Sequence, residues 1–244
     1  IITNYSALLD NLMINNEDNR SKICTELFID NILFFINKYS PKLDINVNVN
    51  KTEAPSVRAT LLTLNNKIVL NENNNIVSQD NEALFETCNI ILFNLLNSLQ
   101  YLSSNVKCKE IINHDKYINS LLNAMDKPKI NSDNIVLCLL CLGNYYSIID
   151  SSEWKNEFIE KTYLLLQSLQ KEYYTCCDIL LNINLFIGKL LKGLANKFLI
   201  EKFYLLALDG LNCPDWNEKL ALLTLDILKN CLIRHEELRS EVFE

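Results

Sequence analysis

Apolar residues recur along most of this chain at spacings of three and four, the period of a helix that buries one face. Tyr5, Leu8, Leu9, Leu12 and Met13 mark a first helix over about residues 4–14. "NNEDN" breaks it with side chains that compete for backbone hydrogen bonds. A short helix over about 19–24 follows. "ELFIDNILFFINKY" then makes a strongly apolar helix through Phe28, Ile32, Phe35, Ile36 and Tyr39, ending ahead of Pro41 because proline disfavours helical geometry in the residue before it. From residue 81 onward the pattern predicts helix after helix: about 82–103, 106–112, 115–125, 131–149, 152–170, 173–191, 194–210 and 215–233, and a last one from about 236. The breaks fall at "SSN", "NHD", "DKPKINSD", "DSS" and "NCPDW", whose aspartates and serines suit helix N-caps.

Residues 42–80 interrupt this order as an irregular, asparagine-rich insertion. "KLDINVNVNKTEA" has no amphipathic face and reads as an exposed loop. Pro55 can open a helix over 55–70 with Val57, Leu61, Leu64 and Ile68 on one side, or "TLLTLNNKIVL" can be a hairpin turning at Asn65 and Asn66; the helix is the favoured reading. "NENNNIVSQDN" is a flexible connector. Nothing divides the chain into two compact domains, so 1–244 reads as a single array. It opens without an initiator methionine and closes inside an unfinished pattern, as expected of a fragment of a longer protein.

Composition sharpens the fold class. Hydrophobic residues make up 49% of the chain, enough for a large core, while four glycines and four prolines are too few for the tight turns of a sandwich or barrel. The expectation is all-α. A net charge of −7 leaves no excess of cations to release counterions from a phosphate backbone, which disfavours nucleic acid as a partner. The uncharged run Thr87 to Val106 has the length of a membrane span but carries eight Asn, Ser and Gln side chains after Cys88, so no span is expected. Nine cysteines, mostly beside Leu, Ile or Tyr, read as buried free thiols of a reducing, intracellular and cytoplasmic setting. Asparagine supplies 34 of the 244 residues, a bias assigned to codon usage rather than to prion-like tracts, which are much longer.

The ends of the chain repeat one another. "LLDNLMINNEDNRSKI" (8–23) and "ILKNCLIRHEELRSEV" (227–242) share an aliphatic pair, an Asn (Asn11, Asn230), an acidic bend, an Arg-Ser pair and a final aliphatic residue. "CLGNYYSIIDSSEWKNEF" places Asn144 equivalently, and "LNSLQYLSSNVKCKEII" is a looser copy. Such self-similarity marks helical units that cannot bury their apolar faces alone and therefore stack. The pattern resembles the armadillo repeat, an inner helix of form "LxNL" followed by a polar turn, a short helix and a second helix; "YSALLDNLMINNEDNRSKICTELFIDNILFFINKY" is the best match. The usual small residue between first and second helices is absent, which leaves HEAT-like two-helix units open in places. The resemblance implies a right-handed α-solenoid in which Asn11, Asn144 and Asn230 face a partner's backbone, a use that suits an amide because it both donates and accepts.

Catalytic chemistry finds little support. "CLLC" (Cys138, Cys141) has half the ligands of a structural zinc site and no second pair, so both sulfurs read as packing groups. Cys176 and Cys177 point to different helix faces. His114 and His235 precede acids at bends and read as solvated or capping; the scattered glycines make no phosphate loop. Importin-alpha-type armadillo proteins carry Trp four residues before the groove Asn; here those positions are Ala7, Leu140 and Asp226, which disfavours nuclear-signal carriage. Trp154 and Trp216, at helix starts, are expected to cover the ends of the core. The chain is therefore expected to be a non-enzymatic module, without cofactor or metal, that binds a peptide or helix of a partner protein. A structural segment of a cytoskeletal, centrosomal or trafficking scaffold is the alternative, and a regulator of a small GTPase or chaperone a weaker one. Exposed apolar array ends also suit self-association.

Overall fold

The computed structural model describes residues 22–40, 77–105, 110–127 and 130–234, with isolated helical positions at Leu8 and Asp18. The expected helices at 4–14 and from 236, the 55–70 segment, Asn11 and His235 lie outside the described residues. Within them the protein is all-helical and holds no strand. The helices are α1 (Glu26–Tyr39), α2 (Val77–Ser103), α3 (His114–Met125), α4 (Ser132–Ile148), α5 (Asn156–Glu172), α6 (Cys177–Leu190), α7 (Lys197–Asp209) and α8 (Glu218–Arg234). No helix among the described residues is long and apolar enough to cross a membrane.

Helix starts are set by asparagine more than by the aspartates and serines expected from the sequence. Asn113, Asn131, Asn196 and Asn217 accept backbone N–H groups at the starts of α3, α4, α7 and α8, and Thr25 does so for α1. Two expected boundaries moved for a local reason. Asp150 accepts the Ser152 N–H at 2.9 Å and tightens Ser151–Glu153 into a 3-10 turn, so α5 begins only at Asn156. The connector expected up to residue 81 is shorter, because α2 is already helical at Val77.

The helices pack as four consecutive pairs, α1/α2, α3/α4, α5/α6 and α7/α8. The pairs stack so that odd helices follow one another in one row and even helices in a second row, each layer supplying the apolar surface that its neighbours need to bury. Long-range contacts in the even row keep a register. Asn134 Nδ2 donates to Asn89 O at 3.0 Å, Cys141 Sγ donates to Leu96 O at 3.4 Å, and Lys189 Nζ donates to Asn144 Oδ1 at 3.0 Å, each pair 45 residues apart. From α6 to α8 the spacing drops to 40, through Asn184 and Thr224. In the odd row, Lys116 pairs with Asp30 and Lys155 with Asp115, both at 2.7 Å, at exposed sites where ion pairs contribute little.

One continuous core runs between the rows. Tyr117, Tyr145, Phe186 and Phe203 are its largest fully buried side chains. Trp154 packs edge-on against Tyr146 at 5.0 Å between ring centres, as expected of a residue covering the core. Trp216 does not; it is 57% exposed. It lies in the turn ahead of α8, its backbone N–H donating to Cys213 O. The cysteines also depart from the uniform picture of free thiols. Cys24 is disulfide-bonded, whereas Cys88, Cys138, Cys141, Cys176, Cys177, Cys213 and Cys231 are in the thiol form.

Candidate partner-binding surface

The even-row helices α4, α6 and α8 lie side by side and present Asn144, Lys189 and Asn230 in succession. Lys189 is the residue that joins them. Its stem lies across Gly143, where a side-chain Cβ would come within 3.0 Å of Lys189 Cδ, and its ammonium donates to Asn144 Oδ1. One register step on, Gly188 brings α6 close to Ile227 of α8, with 3.4 Å from its virtual Cβ to Ile227 Cγ1. Glycine thus thins α4 and α6 on the sides that face the next helix.

Between α6 and α8 a depression of about 210 Å³ opens beside this line. Leu185, Leu223 and Ile227 give it apolar walls, and Lys189, Lys192 and Asp226 bring charge to it. Asn230 lines it as well, with its Nδ2 donating to Asp226 Oδ2 at 3.2 Å one turn back along α8. Burial, and then the neighbouring Lys192, lower the pKa of the Lys189 ammonium below the ordinary lysine value. Among the described residues Lys189 meets a neutral amide oxygen and no carboxylate.

The structure therefore brings Asn144 and Asn230 to the two sides of Lys189, while Asn11 lies outside the described residues. Sequence reasoning missed Lys189. The signal was available in "LCLGNYY" and "LFIGKLL", which align Gly143 with Gly188 and Asn144 with Lys189 at the 45-residue step. Other asparagines turn inward. Asn134 and Asn184 are fully buried, and they hydrogen-bond across helix pairs.

The groups weighed for catalysis have definite places. Cys138 and Cys141 are buried side by side in α4, where burial raises both thiols far above the ordinary range and keeps them protonated. His114, the first residue of α3 after the Asn113 cap, keeps 37% of its side chain exposed, as expected of a solvated histidine, and also meets two side chains. Folding of α3 against α4 sets its Nδ1 against the Tyr145 hydroxyl, and its Nε2 lies 3.4 Å from Glu153. Burial, followed by Glu153, Tyr146 and Asp115, raises the Tyr145 phenol far above its usual value. A phenol held protonated in this way shares a hydrogen bond with the imidazole and is not an activated nucleophile. No group of three or more His, Cys, Asp or Glu side chains among the described residues could hold a metal ion. No protein-family model, curated protein or solved structure matches the chain.

Proposed function

We propose that this chain is a non-enzymatic protein-interaction module, an armadillo-like right-handed α-solenoid whose even-row surface receives an extended or helical segment of a partner protein. The observation that carries the reading is the line Asn144, Lys189, Asn230 beside an apolar-walled depression. It combines amides able to bond a partner's backbone with walls able to take its side chains. A photocrosslinking amino acid at Leu223, on the floor of the depression, tests it in native lysate. The partner captured there should disappear when Asn144→Ala and Lys189→Ala are combined. A partner retained equally would place the interaction elsewhere.

A scaffold segment is the second reading, and a specific feature favours it. On α8, Leu220, Thr224, Ile227 and Cys231 are buried toward α6, while Leu222, Leu225 and Ile233 on the opposite side are each more than half exposed. Phe198 and Leu205 of α7 are exposed in the same last pair. An apolar face of this kind on the last described pair suits contact with a neighbouring molecule. Concentration-dependent light scattering, lowered by Leu222→Glu with Leu225→Glu, separates this reading from the first.

A further inference from the structure

We infer that the depression between α6 and α8 is a subsite for an acidic-aliphatic peptide segment, a Glu or Asp carboxylate set against Lys189 beside a Leu, Ile or Val packed on Leu223 and Ile227. The inference rests on the reading of the even-row surface as a partner site, and it specifies the chemistry of that partner.

Charge complementarity points to the acid. The chain carries −7 overall, yet at this depression Lys189 meets no carboxylate among the described residues, and Asp226, the acid among the described lining residues, accepts from Asn230. Lys189 is half-buried against α4 with a neutral oxygen as its hydrogen-bond partner. A partly desolvated ammonium without an opposite charge is unfavourable, and an incoming carboxylate would compensate it while losing its own water in a site already shielded on one side. An ordinary surface lysine offers no such gain. The lowered proton affinity of Lys189 reports the same desolvation, and a bound carboxylate would reverse it.

The apolar component follows from the walls. Leu185 is 40% exposed at the rim, and Leu223 continues the surface inward to the largely buried Ile227, whose side chain packs beside Gly188. A volume of about 210 Å³ suits a side chain or two rather than a folded surface. Two lysines in an acidic chain do not make a phosphate-backbone track, so the occupant is a peptide rather than nucleic acid.

Fluorescence anisotropy with the full chain tests this, using a short labelled peptide of alternating leucine and glutamate and its leucine–glutamine counterpart. The glutamate peptide should bind about tenfold or more tighter, the difference expected of a charge-assisted contact. Lys189→Met, which keeps the aliphatic stem, should erase that preference while the thermal melt stays cooperative. Lys192→Gln, at an exposed position, should reduce it without touching the core. In the wild type, the Lys189 side-chain NMR signal should titrate at higher pH once the glutamate peptide is bound. Equal binding of both peptides, with Leu223→Glu weakening both, would overturn the acidic subsite and leave the partner surface standing. No binding of the glutamate peptide at about 1 mM, a threshold of about 4 kcal/mol, would also overturn it, while the crosslink at Leu223 decides the broader reading separately. Displacement by inorganic phosphate at concentrations matching peptide carboxylate would reduce the site to a simple anion contact and overturn the proposal.

Discussion

Asn184 is the position at which removing a single side chain should cost the most for its size. It is 1% exposed on α6, and its Nδ2 donates to Ala207 O on α7 at 3.2 Å and to Thr224 Oγ1 on α8 at 2.9 Å. Thr224 passes its own hydrogen to Leu220 O at 2.8 Å. Close by, Gln170 of α5 donates to Leu206 O at 3.2 Å. Gly210 lies beside both amides, 3.5 Å from Asn184 Nδ2 and 3.6 Å from Gln170 Nε2 measured from the place a Cβ would take. The last turn of α7, where helical N–H donors run out, is thus served by amides from α5 and α6. Asn184→Leu keeps the branching of the side chain, though it is bulkier, and removes two hydrogen bonds of about 1 kcal/mol each, and it strands a buried carbonyl whose desolvation adds about 1 kcal/mol or more. The sum of about 3 kcal/mol should lower the melting temperature by about 6–12 °C for a chain of this size. Urea unfolding at unchanged m-value and calorimetry both read it. Adding Thr224→Val removes one stranded acceptor, so the double variant should be less destabilised than the two single losses added together. A melting temperature within about 2 °C of wild type, or strictly additive single variants, would refute the network.

Gly193→Ala should destabilise by about 1–3 kcal/mol because its Cβ would meet the Trp154 ring; the distances are 2.6 Å to Cη2 and 2.9 Å to Cζ2. Trp154→Leu in the same chain should recover part of the loss in urea titrations. Gly143→Ala crowds the flexible Lys189 stem and touches Phe186 only at an ordinary 3.5 Å, so its stability should be unchanged or gain up to about 1 kcal/mol from helix propensity, while the Lys189 side-chain NMR signal moves. Lys189 has a folded pKa below its ordinary 10.5, so the folded chain releases that proton first and unfolding takes it up. Its contribution to stability should therefore rise as pH climbs through the folded pKa toward 10.5, and Lys189→Met should flatten that rise in urea unfolding measured across the interval. Under native conditions iodoacetamide should alkylate Cys176 well before Cys138 and Cys141, whose buried thiols react only on opening; peptide mass mapping reads the order, and equal rates would refute it.

The helical class and the position of most elements were legible in the order of residues alone. Helical periodicity is a local property, written in residues such as Leu92, Leu96 and Leu99, all fully buried on α2. The starts of helices were legible only in part, since Asn113, Asn131, Asn196 and Asn217 looked like members of a compositional bias and proved to be caps. Asn144 and Asn230 were legible through internal repetition, which survives because each unit stacks on the one before.

Only the tertiary structure decided what those amides meet. Lys189 lies 45 residues from Asn144, and nothing local to either residue specifies the contact until α4 and α6 pack against the glycine-thinned face between them. The same holds for Asn184, whose hydrogen bonds reach two other helices, and for His114, which the packing of α3 on α4 sets against Tyr145. Trp154 and Trp216 make the contrast plain. Both stand at helix starts in "SSEWKNEF" and "CPDWNEKL", yet one fills the space above Gly193 and the other is exposed, because the position of an indole relative to the core is set by the direction of the turn that carries it.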